Sequence, residues 1–430
     1  MAGTISKRAL EDIRFRTDIV ELIGSYFDLK RSGSTFKALC PFHKEKTPSF
    51  HVNPQRQIYH CFGCGAGGDV FAFMMQQEGV PFMTAVKMLA QRAGIQLEIE
   101  EGSGETSHKT ELYEIHRRVA ELYHKALLER ESAAGAREFL EKRKISSETI
   151  ESFFIGYAPD RWDAVLKWAM RKKYSLEQVE RSGIIMRKSG KEGGNKGFYD
   201  RFRNRIMFPV FDEQGRIIGF SARTLEEKAA GAKYINSPET PLFAKSRILY
   251  ALDKARRHIV DEREALVCEG QIDVIRCHQA GFETAVAAQG TAFTEDHVRI
   301  LRRYADSVCI VFDRDKAGQN AAVKTASLCI SAGLAVRVAM LPQGEDPDSF
   351  ILSRGSDAFR KILENAGSAV EFRVKTLGEE QDLSTEIGAM RAAKAVLGTI
   401  SRSPNAVQRS SLVQEAARLL RIPGSALQDD

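Results

Sequence analysis

The clearest hydrophobic pattern begins at residue 264, where short apolar runs alternate with longer stretches of helical spacing. The runs EALVC, TAVAA, SVCIVF and LAVRVAML are followed by Glu-Gly, Gln-Gly, Asp-Arg-Asp and a proline, respectively. Buried strands that alternate with helices predict a mostly parallel sheet with both faces covered. From residue 348 onward only helical patterns follow, as in AMRAAKAVLGTI and SSLVQEAARLLRI, and these predict a C-terminal helical bundle.

The preceding part of the chain has a different pattern. Apolar residues at three- and four-residue steps predict a helix over 111–140. RIMFPVFDEQGRIIGFSAR (205–223) predicts two strands around a Gln-Gly turn, and the segment 230–246 reads as irregular. Residues 100–110, EEGSGETSHKT, are polar and free of large apolar side chains, which predicts a flexible linker.

Charge is distributed unevenly along the chain. The 430 residues carry a net charge of +6, but residues 111–260 carry +9 and residues 261–430 carry −4. A solvated surface is the ordinary explanation of a charged stretch, whereas an excess confined to one segment favours a polyanionic partner.

The composition excludes several classes of protein. There are seven cysteines, an odd number that argues against a fully paired disulfide framework. No run of 18 apolar residues is present, so we expect no membrane span, and the charged N-terminus does not resemble a secretory signal. A cytoplasmic protein of a reducing compartment is therefore expected.

Three of the cysteines form a pattern typical of a metal site. Cys40-Pro-Phe-His43 is followed after 17 residues by Cys61-Phe-Gly-Cys64. Two knuckles with ligands at i and i+3 are typical of a closed, tetrahedral, structural Zn²⁺ site. Strand-like segments lie between the knuckles, so we predict a zinc ribbon with Cys40, His43, Cys61 and Cys64 as ligands.

His51 and His60 are alternative ligands, but only His43 has the knuckle spacing. Basic and aromatic residues surround the knuckles, a combination that suits single-stranded nucleic acid. Some of those aromatic residues are equally expected in the small core of the ribbon. The residues concerned are Lys30, Arg31, Lys37, Lys44, Lys46, Phe42, Phe50, Tyr59 and Phe62.

Acidic residues follow three of the predicted parallel strands. Glu269 follows ALVC, Asp313 and Asp315 follow SVCIVF, and the acids of GEDPD (344–348) follow VRVAML. Ligand sites of open α/β sheets lie at the carboxyl ends of the strands. Converging carboxylates repel one another unless cations neutralise them, and hard oxygen ligands suit Mg²⁺ or Mn²⁺. The pattern favours a two-metal site for phosphoryl or nucleotidyl transfer.

Strand-end acids can instead cap helices, and for Glu345 this role is as well supported as metal contact. A calcium loop fails because Ala317 and Lys324 stand where such a loop needs acids. The sequence contains no P-loop motif, which excludes a P-loop ATPase in these residues.

These motifs, taken in order, resemble a known family. CPFHKEKTPSFHV and YHCFGCGAGGDV resemble the CHC2-type zinc ribbon of bacterial DnaG-type primases. RFRNRIMFPV, GRIIGFSAR and KYINSPETPLFAKS resemble the basic part of that family's RNA polymerase domain. VCEGQIDV, VFDRDKAGQNAA and LPQGEDPDSF resemble its Toprim catalytic fold.

The resemblance implies synthesis of short RNA primers from NTPs on a single-stranded DNA template. It implies that Glu269, Asp313 and Asp315 hold Mg²⁺ or Mn²⁺, two ions or more, with Asp346 and Asp348 as further catalytic acids, beside one structural Zn²⁺. It also implies a set of residues that contact template or nucleotide: Arg143, Arg201, Arg203, Arg223, Lys233 and Lys245.

The resemblance implies a multidomain fold with α+β and α/β domains. We expect a zinc-ribbon DNA-binding domain, a flexible linker, a basic α+β subdomain of the RNA polymerase domain, a Toprim α/β subdomain and a helical subdomain. Their boundaries are 1–100, 101–110, 111–260, 261–347 and 348–430, respectively.

Members of the family usually continue into a helical domain that binds the replicative helicase. We expect that domain to be absent from this chain. Two rival functions remain: a non-catalytic, RecR-like DNA-binding mediator, and a Toprim nuclease or topoisomerase. The first needs no full set of acids, and the topoisomerase needs a transferring tyrosine on a separate large domain.

Overall fold

A computed structural model describes residues 4–5, 7–95, 99–100, 104–188, 197–225 and 232–423 of the chain. It divides into two compact units, Met1–Thr110 and Glu111–Asp430. None of the helices in these described ranges combines the length and apolar character that crossing a membrane requires.

The first unit is built on a five-stranded antiparallel sheet in the order β2-β3-β4-β5-β6. Alternate residues of β4 and β5 point to opposite faces, so Phe50, Val52 and Tyr59 are buried in one core with the helices. The elements are β1 (Thr4–Ile5), α1 (Lys7–Arg16), α2 (Ile19–Gly24), β2 (Lys30–Ser32), β3 (Thr35–Ala38), β4 (Phe50–Asn53), β5 (Ile58–Cys61), β6 (Gly67–Gly68), α3 (Val70–Glu78), α4 (Phe82–Arg92) and β7 (Ile99–Glu100), which pairs with β1.

The second unit begins with helices and a four-stranded antiparallel sheet in the order β13-β12-β11-β8. The strand pair predicted around the Gln-Gly turn is confirmed as β11 and β12. The elements are α5 (Gly104–Glu129), α6 (Ala134–Lys142), α7 (Ser147–Ser152), β8 (Gly156–Ala158), α8 (Ala164–Arg171), α9 (Leu176–Arg181), β9 (Ile185–Arg187), β10 (Phe198–Asp200), β11 (Arg205–Phe211), β12 (Ile217–Thr224) and β13 (Tyr234–Asn236).

Three local predictions for this region differ from the structure. Residues 104–110, expected in a flexible linker, have helical backbone at the start of α5, whereas 101–103 lie outside the described residues. The helix expected over 111–140 is interrupted after Glu129, where Arg137 donates hydrogen bonds to the carbonyls of Leu127 and Arg130 and so terminates α5. The segment expected to be irregular contains β13, which is ordered by pairing with β12.

The six-stranded sheet of the second unit has the order β14-β16-β15-β17-β18-β19. Its four central strands are parallel, as predicted, and antiparallel strands flank them. The elements are β14 (Leu249–Tyr250), α10 (Leu252–Glu262), β15 (Glu264–Cys268), α11 (Gln271–Gln279), β16 (Ala285–Ala288), α12 (Glu295–Leu301), β17 (Ser307–Val311), α13 (Lys316–Ser331), β18 (Ala335–Val338), α14 (Pro347–Glu364) and β19 (Gly367–Ser368).

Helices cover both faces of this sheet. Residues of α11 and α14 pack into the core on one face, and residues of α12 and α13 pack into the core on the other. The chain continues through α15 (Ala369–Glu380), α16 (Glu386–Ile400) and α17 (Ala406–Leu420), which share a smaller core. The predicted C-terminal helices are therefore confirmed.

The contact between β8 and α5 yields a stability prediction. A Cβ at Gly156 would lie 2.6 Å from the backbone carbon of Tyr123 and 2.8 Å from the backbone nitrogen of His124. Because backbone atoms cannot move aside cheaply, we expect Gly156→Ala to lower the free energy of unfolding by about 1–3 kcal/mol. Denaturant titration measures this loss. Gly398→Ala in α16 is the matched control, because nothing lies within 4 Å of the added methyl group, and equal losses in the two variants would contradict the packing account.

Candidate functional site

The four predicted zinc ligands lie together in the first unit. The ligand atoms of Cys40, His43, Cys61 and Cys64 are all within 4.8 Å of one another. The sulfurs of Cys40 and Cys64 are 3.8 Å apart, and Cys61 Sγ lies 3.8 Å from His43 Nδ1. Tetrahedral coordination with zinc–sulfur bonds of about 2.3 Å puts sulfurs about 3.8 Å apart, so the cluster fits one Zn²⁺.

Glu45 supports this cluster from outside, a role that the sequence analysis missed. Its carboxylate lies 3.3 Å from His43 Nε2 and accepts the Cys40 amide at 2.7 Å. The Ser49 hydroxyl also donates to Glu45, and this bond lowers the pKa of the carboxyl group. A carboxylate on the far nitrogen of a metal-binding histidine fixes the tautomer and the ring orientation. Its position two residues after His43 is the feature of the sequence that could have identified this role.

The alternative ligands His51 and His60 lie on the opposite face of the ribbon sheet. They are directly paired across β4 and β5, and each packs edge-on against the ring of Phe62. Phe62 is 73% exposed, whereas Phe50 and Tyr59 are buried in the core. The basic and aromatic set therefore divides between the exposed face and the core.

The strand-end acids meet at one edge of the six-stranded sheet. Glu269 follows β15, and Asp313 and Asp315 follow the neighbouring strand β17. The Asp313 amide donates to Glu269 Oε2 at 3.4 Å. Asp346 follows β18, the next parallel strand, at the start of α14.

The electrostatics of this edge are unfavourable for a chain without cations. Desolvation, together with the charges of Glu269, Asp346 and Asp315, raises the pKa of Asp313 to about 6. Desolvation and the charge of Asp315 also raise the pKa of Glu269. Asp313 Oδ1 is buried without a hydrogen-bond partner among the described atoms. An unpaired, buried carboxylate oxygen amid like charges fits a hard divalent cation.

Two of the acids also cap helices. Asp315 accepts the Gly318 amide at 2.7 Å at the start of α13, and Asp346 accepts the Ser349 amide at 2.6 Å at the start of α14. Each of these bonds uses one carboxylate oxygen. Glu345 instead forms an ion pair with Arg354, N to O 2.7 Å. Capping and metal contact are therefore compatible for Asp315 and Asp346.

The environment of Asp348 differs from the expectation of a catalytic acid. Its side chain is 2% exposed, and Arg276 Nε lies 2.8 Å from one carboxylate oxygen. Arg143 is hydrogen-bonded to the other oxygen. With both oxygens paired to cations, Asp348 does not offer a free metal ligand. The sequence does not reveal this because the two arginines lie 72 and 205 residues away.

A further acid, Asp273, was missed. It lies on α11, four residues after Glu269, is 8% exposed, and accepts the Gly270 amide at 3.1 Å. Burial raises its pKa well above the usual value, and the charges of Asp346, Asp313 and Asp348 add to the effect. In the sequence, its spacing of four residues from Glu269 was the one feature that pointed to a role at the site, because the rest of the α11 sequence is typical of a buried helix.

The predicted basic residues have different partners. Arg143 and Arg223 both lie over the ring of Phe139, at 5.1 and 3.9 Å from its centroid. The positive charge of Lys233 lowers the pKa of Asp313 and so opposes the rise caused by burial and the neighbouring acids. This lysine therefore lies near the acids. Lys245 begins a short 3₁₀ helix, Lys245–Arg247.

Arg201 and Arg203 lie between β10 and β11 and have different surroundings. The Arg201 guanidinium donates twice to the Asn236 carbonyl, at 2.9 and 3.2 Å. Arg203 stacks on Trp162, with its guanidinium carbon 3.7 Å from the ring centroid. Trp162 is 60% exposed, so this pair presents an aromatic and cationic surface to solvent.

Comparison with family models divides the chain in the order expected from its motifs. Residues 5–105 match the CHC2 zinc finger, 123–256 match the N-terminal domain of the DNA primase catalytic core, and 266–351 match a Toprim-like model. Residues 370–424 match the DnaB-helicase binding domain of primase.

That last match overturns one expectation. The prediction that the helicase-docking domain is absent is wrong, because the model for this domain covers most of α15, α16 and α17. Apolar periodicity identified these segments as helices that pack into a core. It carries no information about the partner of their outer faces, so residues 348–430 were predicted only as a helical subdomain.

Known proteins and solved structures agree with the family models. A structure of the Aquifex aeolicus primase, zinc-binding and RNA polymerase domains, aligns over 99% of both chains with a TM-score of 0.65 and 31% identity. A DnaG primase catalytic domain bound to ssDNA aligns over 75% of this chain and 99% of its own, with a TM-score of 0.66 and 35% identity.

Curated relatives extend the likeness over the whole sequence. The DNA primase of Escherichia coli K12 is 39% identical over 98% of this chain and 72% of its own length. The DNA primase of Geobacillus stearothermophilus is 40% identical over 100% of this chain and 72% of its own length. At about 40% identity over 72% of the length of each of these relatives, the chain belongs to the DNA primase family.

Proposed function

We propose that this protein synthesises short RNA primers on single-stranded DNA by two-metal nucleotidyl transfer. The observation that carries the proposal is the group of acids at the ends of β15 and β17, where Asp313 has an unpaired buried oxygen and a pKa raised to about 6. Such a group is costly unless divalent cations occupy it.

Glu269, Asp313 and Asp315 would hold the catalytic Mg²⁺ or Mn²⁺ ions, with Asp346 as a further acid on the next strand. When bound, such ions activate an attacking oxygen and stabilise the leaving one. Asp315 is oriented by its bond to the Gly318 amide, and the Asp313 amide bond to Glu269 links the two strand ends. These bonds set the positions of the acids before any substrate binds.

The charge distribution supports a role in holding a polyanion. Lys233 lies near the acids, and the Arg203–Trp162 pair offers a charge for phosphate and a ring for a base. Contacts of this kind give affinity without reading sequence, so binding should weaken steeply with salt. Arg143 joins Asp348 and Phe139 in this structure, so its support for a template contact is weaker.

The zinc ribbon would contribute template contact through its exposed face, whereas Zn²⁺ bound by Cys40, His43, Cys61 and Cys64 would maintain its fold. The family model for residues 370–424 supports a contact with a replicative helicase through the C-terminal helices.

Replacing Asp313 tests the catalytic assignment. Asp313→Ala should reduce primer synthesis at least about 100-fold, because it removes the carboxylate whose buried, unpaired oxygen is expected to bind the metal. Labelled NTPs, single-stranded DNA and Mg²⁺ are the assay components, and DNA binding is measured in parallel by fluorescence anisotropy. Asp357→Ala, at an exposed acid of α14, is the matched control.

Retention of synthesis by Asp313→Ala would exclude the assignment. The wild-type products separate the rival functions in the same experiment: new short RNA indicates a primase, shortened DNA a nuclease, and unchanged DNA without RNA a mediator.

Replacing Cys61 tests the zinc assignment. Cys61→Ser should lose the one zinc ion per chain that elemental analysis finds in the wild type, because the fully buried Cys61 would be replaced by a much weaker ligand. Cys329→Ser changes a buried cysteine of α13 and should keep the full zinc content. A wild-type protein without zinc, or full zinc content in Cys61→Ser, would refute the assignment.

A further inference from the structure

A cavity of about 890 Å³ opens beside the acidic edge of the six-stranded sheet. It lies between α13 and the segment that joins β16 to α12. Glu269 lines this cavity together with Phe293 and Phe312, and Arg402 lines it from the connection between α16 and α17. A volume of this size is typical of a site for one small molecule. We call this cavity the α13 groove.

The lining of the α13 groove suits a planar aromatic group. Phe293 and Phe312 are both partly exposed and are joined in the lining by small apolar residues, among them Ala288 and Ala321. Aromatic side chains stack on nucleobases with little regard to base identity.

The groove also contains two cations that are not neutralised. Lys324 and Arg402 line it, and neither side chain forms an ion pair with any residue of the described ranges. Both residues are exposed at the groove, where an anion in the groove can reach them, and phosphate is an anion that arginine and lysine commonly bind in proteins.

The charged groups follow one another along the groove in a definite order. Glu269 is at the end of α13 that begins with Lys316, because the Asp313 amide bonds to it. Arg402 is at the other end, where Gln408 holds the α16–α17 connection through a bond to the Leu334 carbonyl. Lys324 lies between them, eight residues or about 12 Å along the helix from Lys316.

We propose that the α13 groove binds the initiating nucleoside triphosphate, the one that becomes the 5′ end of the primer. Its base packs against Phe293 and Phe312, its 3′-hydroxyl faces the acids near Glu269, and its 5′-triphosphate extends toward Lys324 and Arg402. The opposite order would turn the 3′-hydroxyl away from the acids and leave both cations unpaired. The proposal rests on the proposed function, because it assigns one of the two substrates of that reaction.

This arrangement gives the correct direction of synthesis. The 3′-hydroxyl of the bound nucleotide loses its proton to water, and its oxygen forms a bond to the α-phosphorus of a second NTP. The bond between that phosphorus and the oxygen bridging to the β-phosphate breaks, and pyrophosphate leaves. The 5′-triphosphate of the initiating nucleotide is not consumed, so the groove can hold it throughout the step.

Initiation and extension assays separate this role from general substrate binding. In the wild type, the first dinucleotide should form with a KM for the initiating triphosphate about tenfold below that for the corresponding monophosphate. Lys324→Ala and Arg402→Ala should each remove most of this preference. Extension of an annealed RNA oligonucleotide with a 5′-hydroxyl should not change, because that primer has no triphosphate. Lys361→Ala, an exposed lysine of α14, is the matched control.

A binding measurement tests the groove without activity. Equilibrium dialysis of labelled ATP against Asp313→Asn in Mg²⁺-free buffer should give a Kd that rises about tenfold when Arg402→Ala is added. Equal losses of initiation and extension, or unchanged initiation kinetics and unchanged ATP binding in both groove variants, would overturn the proposal. A wild type that makes no RNA but binds ATP in an Arg402-dependent way would refute the proposed function while retaining the groove as a nucleotide site.

Discussion

Mutual repulsion among carboxylates at one edge of a parallel sheet is the constraint on which the rest of the second unit depends. Parallel strands necessarily bring their carboxyl ends to the same edge, so the acids that follow β15, β17 and β18 converge there. Burial then makes their charges more costly than in water, and the raised pKa of Asp313 expresses that cost. The charge of Lys233 offsets only part of this cost, so the structure must hold these groups together by other means as well.

Several features of the fold meet this requirement. Helices begin directly after Asp315 and Asp346, so a backbone amide at each helix N-terminus binds one oxygen of the acid and fixes its position. A Cβ at Gly318 would lie 2.2 Å from the Asp313 carbonyl, so only glycine lets α13 approach the strand end closely. The nearby Asp348 is neutralised separately by Arg276 and Arg143, which removes one negative charge from the cluster.

The sequence predicts those parts of this arrangement that depend on local pattern. The order of strands and helices, the knuckle spacing of Cys40 and Cys61, and the acids after each strand are all local, and the structure brings them together as expected. Contacts between distant segments are not local. The pairing of Asp348 with Arg276, and the ordering of β13 by β12, depend on packing that no short window of sequence reports.

The sequence pattern does not predict the partner of the C-terminal helices, for a related reason. The C-terminal helices have the apolar spacing of any helix that packs into a core, and it is the match to a family model that relates residues 370–424 to a helicase-binding domain. Asp273 was overlooked because an acid in the first turn of an apolar helix is equally typical of a capping residue, and here it does accept the Gly270 amide.

The central claim is that divalent cations relieve a repulsion built into this sheet edge, and thermal unfolding in Mg²⁺-free buffer tests it most directly. A carboxyl group whose pKa is raised in the folded protein loses stability as the pH rises from its unfolded value through its folded value, here from 3.8 to about 6. At pH 7.5 Asp313→Asn should therefore unfold a few degrees above the wild type. At pH 5 the gain should shrink, and Mg²⁺ should stabilise the wild type but not the variant. An Asp313→Asn protein that is less stable than the wild type at pH 7.5, or a wild type indifferent to Mg²⁺, would contradict the account.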